Sequence, residues 1–361
     1  MNQFNKIHAT GTAIIFLMIF NACRDPRPNH TGEIKEEKFS RITAPGSSKQ
    51  YKTGDTVRFE IAMIDSSLVP DSITVLQNAV RLGSSRERSF TWDTRHEGTG
   101  QHNISIEVYI NGKGKDVHSV RVNLLSDVQP QLYKYKVVRV FPHDVGSYTQ
   151  GLIYHNNMIF EGTGQYKESK LRRLRLNNGE VLQEQRLEDR YFGEGIAIAN
   201  NRIYQLTWNE KVGFIYDLAS FKRLSTFNLP SNEGWGLTFD GISLILSDGT
   251  NRLFILDTAT LATKQIIQVY DDTRAIPQLN ELEYVDGKIY ANVYQTDMIV
   301  IIDPTTGKVT GKIDCSNLLA QSEMDQTTDV LNGIAYLPQQ KHFLITGKYW
   351  PKMFEVEFVK K

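Results

Sequence analysis

Apolar and polar residues alternate with a period of two over long stretches of this chain. Val57, Phe59, Ile61 and Met63 fall on one strand face, as do Ile104, Ile106, Val108 and Ile110, and then Val120, Val122 and Leu124 beyond Asn111-Gly112. Such alternation marks half-buried strands, and Asn-Gly supplies the positive φ of a tight hairpin. Residues 41–127 therefore read as an immunoglobulin-like β-sandwich, with Trp92 as a core aromatic and a spacer or docking role. A break at Asp127–Gln131, containing Pro130, leads into residues 128–361, where short strands alternate with turn signals at Asn177-Asn178-Gly179, Asp240-Gly241, Asp248-Gly249, Asp286-Gly287 and Thr306-Gly307.

Within that second region a short signature recurs five times: Gln150-Gly151-Leu152, Glu194-Gly195-Ile196, Trp235-Gly236-Leu237, Asn280-Glu281-Leu282 and Asn332-Gly333-Ile334. The middle residues lie 44, 41, 45 and 52 positions apart. A repeat of this length built from strands predicts a five-bladed β-propeller, so the fold class is all-β. Ring closure is expected to pair the strand at Tyr135–Val140 with strands near Phe354–Phe358, hiding both edges. The interval Cys315–Asp329 leaves room for a loop or short helix over one face. Equivalent positions of a propeller surround one axis, so the first residues of the five copies are expected to face a single pocket.

At the N-terminus, Lys6, an apolar stretch from Ala13 to Phe20 and Asn21-Ala22-Cys23 read as an export signal over residues 1–23. The stretch is shorter than the roughly 20 apolar residues of a membrane span. It resembles a bacterial lipoprotein signal, which would make Cys23 the acylated residue and the membrane a partner, although Phe20 and Asn21 depart from the usual pattern. Residues 24–40, polar with Pro26 and Pro28, read as a tether. The expected location is exported and lipid-anchored, on the periplasmic side or the cell surface. Cys315 then has no disulfide partner and reads as a buried apolar residue. The 41 basic and 41 acidic residues cancel, which argues against a nucleic-acid partner.

Catalytic signatures of other kinds fail. Gly162-Thr163-Gly164 and Gly98-Thr99-Gly100 lack the third glycine of a dinucleotide loop and read as turns. The eight histidines show no ligand spacing. What gathers in or beside the repeats is Tyr148, Gln150, Phe192, Glu194, Trp208, Trp235, Asn280, Tyr294 and Lys348. By composition alone these fit turn caps and aromatic wedges between blades as well as they fit a pocket.

Longer motifs decide between the two. Phe192-Gly193-Glu194-Gly195, Tyr204-Gln205-Leu206-Thr207-Trp208, Glu233-Gly234-Trp235-Gly236-Leu237-Thr238, Ser247-Asp248-Gly249-Thr250, Leu279-Asn280-Glu281-Leu282-Glu283-Tyr284, Asp329-Val330-Leu331-Asn332-Gly333-Ile334-Ala335 and Thr346-Gly347-Lys348-Tyr349-Trp350-Pro351-Lys352 resemble, in order, the plant-type glutaminyl cyclases. That family consists of five-bladed propeller cyclotransferases. The resemblance spans Tyr133 to Phe358 and leaves out the sandwich and the tether.

It implies conversion of N-terminal glutamine in peptides or proteins to pyroglutamate with release of ammonia, without a metal or organic cofactor. It implies Glu194 as the proton-transferring group, Gln150, Asn280 and Lys348 as polar pocket groups, and Phe192, Trp208 and Trp235 as an aromatic wall. Tyr148 and Tyr294 stand where the family pattern leads one to expect Phe and Trp, which bears on substrate preference and rate. A monomer is the default the family sets. The competing readings are a non-catalytic peptide- or glycan-binding propeller and a metal-dependent propeller hydrolase. Lys348 in the same pocket argues against a divalent cation.

Overall fold

The computed structural model describes residues 38–46 and 49–361; the export signal, Cys23 and the tether up to residue 37 lie outside the described residues. Two sheets come first. One holds Ser40–Ala44, Thr56–Met63 and Ser89–Asp93, and the other runs Tyr51–Lys52, Gly114–Leu125, Gly100–Ile110, Ser72–Gln77 and Val80–Ser85 in order. Their alternating apolar residues meet in one core that includes Val57, Phe59, Ile106, Val108 and Trp92. Tyr51–Lys52 runs parallel to the end of Gly114–Leu125, and the remaining pairings are antiparallel. Two sheets that share one core in this way make a β-sandwich.

Five four-stranded blades follow. Three are separate sheets, at residues 149–186, 193–228 and 237–268. The fourth, residues 279–314, and the fifth, built on Leu331–Leu337, His342–Gly347 and Lys352–Lys360, are joined by Gln131–Pro142. That strand pairs antiparallel with Lys352–Lys360, setting Phe354 opposite Val140 and Phe358 opposite Tyr135. Its first residues also pair parallel with Gly311–Asp314. Both of its edges are thereby covered, and the chain closes its ring with its own N-terminal strand. The inner strands contact one another in succession, with the fifth returning to the first.

The glycines of the repeat explain the tightness of this ring. A Cβ on Gly151 would lie 2.6 Å from the Ile196 nitrogen, and one on Gly195 would lie 2.6 Å from the Trp235 carbonyl. Neighbouring inner strands therefore touch backbone to backbone, as in the bond from Gly195 N to Trp235 O at 2.7 Å. In the fourth copy Glu281 replaces the glycine. Its carboxylate accepts from Leu152 N at 3.2 Å and Ile334 N at 2.8 Å, stitching blades one, four and five together around the axis.

Gly162 and Thr163 do not form the expected turn; they end the strand Met158–Thr163. Gly162 is required by packing, because a Cβ there would sit 2.9 Å from the Glu194 carbonyl. Cys315 is buried, and the interval after it contains a single 3-10 turn, Gln321–Glu323. No helix among the described residues is long and apolar enough to cross a membrane. Phe39–Lys361 forms one compact unit, in which Thr99 Oγ1 donates to Gln268 O at 2.6 Å and Lys308 pairs with Asp127 at 2.7 Å across the sandwich–propeller contact.

Candidate active site

The repeat signatures sit on irregularities of the inner strands. Gln150, Glu194-Gly195, Asn280-Glu281 and Asn332-Gly333 each fall where the register of the first strand slips against the second. A β-bulge adds a residue to one strand and re-aims its side chains. Here it turns Gln150, Glu194 and Asn280 toward one end of the axis. Tyr148, Phe192 and Trp235 lie just before the inner strands of blades one to three, and Trp208, Tyr294 and Lys348 lie just after the second strands of blades two, four and five.

All nine of these residues line one cavity of about 170 Å³. Asn332, the first residue of the fifth copy, does not line it. It lies behind, and its Nδ2 donates to the Thr149 carbonyl at 2.9 Å and to Gln150 Oε1 at 3.2 Å. Gln150 in turn donates from Nε2 to Glu194 Oε1 at 2.8 Å. The other oxygen of Glu194 is buried with no hydrogen-bond partner, and so is Asn280 Oδ1.

Glu194 is 4 % exposed and Lys348 is 2 % exposed, so both charges are withdrawn from water. Burial pushes the Glu194 carboxyl well above the ordinary carboxylate range; the Lys348 ammonium pulls it back, and Glu210 and Glu233 push it further up. Burial lowers the Lys348 ammonium, against the opposing pull of Glu194 and Asp329. The ammonium is held over two rings, 4.5 Å from the centroid of Tyr148 and 4.9 Å from that of Tyr294. Cation–π contacts of this kind are worth roughly 0.5–2 kcal/mol.

The aromatic rings form two groups. Tyr148 meets Phe192 edge-on at 5.9 Å, Phe192 meets Trp208 at 5.5 Å, and Trp235 meets Tyr294 at 5.3 Å. A residue outside the predicted set fixes the two indoles. One oxygen of Glu233 accepts from Trp208 Nε1 at 2.9 Å and from Trp235 Nε1 at 2.8 Å. The sequence carried a hint of this, since Glu233 stands two residues before Trp235 inside a quoted motif. Nothing in the spacing put Trp208 beside it.

A five-bladed ring that collects one buried carboxylate, one buried ammonium and two side-chain amides among aromatic rings defines a class: a propeller with a polar, aromatic-lined pocket. The sequence matches the family described as "Glutamine cyclotransferase" over residues 115–358. It is 37 % identical over 235 residues to the glutaminyl-peptide cyclotransferase of Arabidopsis thaliana, covering 64 % of this chain and 73 % of the relative. The crystal structure of Myxococcus xanthus glutaminyl cyclase superposes with a TM-score of 0.60 at 34 % identity, over 64 % of this chain and all of that one. The chain belongs to the glutamine cyclotransferase family. The family match begins inside the last sandwich strand, so most of the sandwich stands outside it.

Proposed function

We propose that this protein cyclises the N-terminal glutamine of peptides or proteins to pyroglutamate, releasing ammonia, with Glu194 as the acid–base group and without a metal ion. The observation that carries this reading is the Glu194 carboxylate, buried at the cavity wall with one oxygen held by Gln150 and the other without a hydrogen-bond partner.

The reaction needs a group of that kind. The glutamine α-amine attacks the side-chain amide carbon, and a C–N bond forms to close a five-membered ring. The α-amine has a pKa of about 7.7–8.0, so a useful fraction is neutral near pH 7. As the bond forms, the bare oxygen of Glu194 accepts the proton the amine loses. The same oxygen then delivers it to the amide nitrogen, the old C–N bond breaks, and ammonia leaves. A carboxyl held above its ordinary range by burial is better matched to that shuttle than a solvated one.

Negative charge develops on the amide oxygen meanwhile. Lys348 and the Asn280 amide are the donors with capacity to spare, because Gln150 is engaged at both ends of its side chain. A well-placed donor contributes roughly 3–4 kcal/mol to such a transition state. Gln150 and Asn332 orient the carboxylate. The aromatic wall excludes water and folds the glutamine chain toward its own amine. A pocket that sets one carboxylate in the field of a buried ammonium is a poor divalent-cation site, which supports metal independence.

Export and attachment to a membrane through a lipid on Cys23 belong to the same proposal, and their support is the N-terminal sequence. The deciding experiment measures ammonia release and the matching mass loss from a glutamine-initiated peptide, with and without a chelator, beside Glu194→Gln. Chelator-insensitive release that is lost in the variant is the expected result. Full turnover by Glu194→Gln would overturn the role given to Glu194. No turnover by the folded wild type would leave a peptide-binding propeller as the better reading.

A further inference from the structure

We propose that the mouth of the pocket selects substrates by charge, favouring glutamine-initiated chains whose second residue is cationic or neutral and rejecting those whose second residue is acidic. With the glutamine side chain bound at Glu194, a placement that rests on the cyclotransferase reading above, the second residue must lie at the rim.

Three partly or fully exposed carboxylates adjoin residues that line the cavity. Glu233 holds the indoles of Trp208 and Trp235. Glu210 accepts from the Tyr166 hydroxyl at 2.9 Å, and the Tyr166 ring packs edge-on against Phe192 at 5.4 Å. The second oxygen of Glu210 is buried with no hydrogen-bond partner. Asp329 is exposed, and its backbone is pinned to the strand end that carries Lys348: its N–H donates to Lys348 O at 3.0 Å and its carbonyl accepts from Trp350 Nε1 at 2.8 Å. None of these three carboxylates forms an ion pair among the described residues, although Asp329 attracts the Lys348 ammonium from beyond ion-pair distance. Lys348, the one cation in the pocket, is engaged below them over the Tyr148 and Tyr294 rings.

An acidic side chain at the rim therefore meets like charges that Lys348, held over the Tyr148 and Tyr294 rings, offsets only in part, whereas a Lys or Arg there gains partners without breaking an ion pair. Rim charges of this exposure change association more than bound-state packing, and they fade as salt screens them. Each exposed pair is worth up to about a fivefold change.

The test compares kcat/KM of the full chain for three C-terminally amidated peptides, Gln-Lys-Ala-Ala, Gln-Ala-Ala-Ala and Gln-Glu-Ala-Ala, at low and high sodium chloride. The expected order is Lys, Ala, Glu, with about tenfold between the ends at low salt and about twofold at high salt. The double change Glu210→Gln with Asp329→Asn is expected to bring the three within about twofold of one another at low salt. Equal rates for all three peptides would overturn this inference and leave the cyclotransferase reading standing. A preference that survives both salt and the double variant would assign selection to the shape of the rim instead. Turnover of none of the three would overturn both readings.

Discussion

Gln150 donates to Glu194 Oε1 at 2.8 Å while its own Oε1 is held by Asn332 from behind, so the carboxylate is oriented by an amide that cannot rotate freely. The other oxygen of Glu194 is buried and left with its acceptor capacity unused. Truncating Gln150 to Ala frees the carboxylate without removing it. The expected effect is a fall in kcat of about tenfold or more, with little change in KM, because the lost contact serves the proton transfer rather than ground-state binding. Steady-state kinetics on one glutamine peptide would settle it. A rise in KM alone would place Gln150 in substrate binding.

The charges around Glu194 give a second expectation, with a sign. Activity should rise as pH increases through the value at which Glu194 loses its proton, and that value is held up by burial and by Glu210 and Glu233, and down by Lys348. Glu233→Gln should therefore move the acidic limb of the kcat/KM profile to lower pH, and Lys348→Met should move it to higher pH, each with reduced maximal activity. Profiles that keep the wild-type acidic limb in both variants would mean that another group controls it.

The ring and its closure could be read from the sequence because propeller geometry repeats its demands. Four of the five blades carry a glycine at the same point, Gly151, Gly195 and Gly236 because neighbouring inner strands touch backbone to backbone there and Gly333 because its φ is +121°, so the interval is readable. The nine lining residues could be read because they sit in or just beyond the repeat signatures, and the longer motifs that resemble the glutaminyl cyclases chose a pocket over turn caps and blade wedges. Asn332 was misplaced as a lining group, since the same offset in the fifth blade turns its amide toward Gln150 instead. Glu233 was missed as the partner of both indoles because Trp208 and Trp235 come from different blades, and only the closed ring sets their N–H groups on one carboxylate oxygen. The bond from the Tyr166 hydroxyl to Glu210, which leaves the second carboxylate oxygen without a partner, is of the same kind: it joins residues 44 positions apart that no local pattern pairs.

Packing at the axis leads to a third expectation. A methyl on Gly195 would meet the Trp235 carbonyl at 2.6 Å and the Leu237 nitrogen at 2.7 Å, and both are backbone atoms of the next inner strand. Gly195→Ala should destabilise the protein by about 1–3 kcal/mol through overpacking, read as a lowered thermal midpoint. Gly241→Ala is a useful contrast, because its Cβ meets open space while its φ is +96°. Backbone strain alone should cost about 1–2 kcal/mol there, with activity unchanged in the folded protein. Gly195→Ala should also reduce turnover, since Glu194 precedes the displaced residue.

Buried carboxyls near the axis set how stability changes with pH. Burial raises Glu281 well above the ordinary range, with Glu283 adding to the rise, and burial pushes Glu283 up to about 8. Between the ordinary value of 4.5 and these raised values the folded state binds more protons than the unfolded one. Stability then falls as pH rises, and the stabilisation present below the ordinary value is lost as pH passes through the folded values. His143, raised above 6.5 chiefly by Glu161 acting against burial, contributes with the same sign. Carboxyls held low, such as Asp271 at about 2, change stability only in acid and do not offset the slope above pH 5. Denaturant midpoints should therefore decline from pH 5 to pH 8, and Glu283→Gln, which keeps an acceptor for the Tyr336 N–H, should flatten the decline without abolishing it. A midpoint that stays level or rises over this range in the wild type would mean that Glu281 and Glu283 are ionised in the fold, stabilised by their backbone N–H donors rather than neutralised by burial.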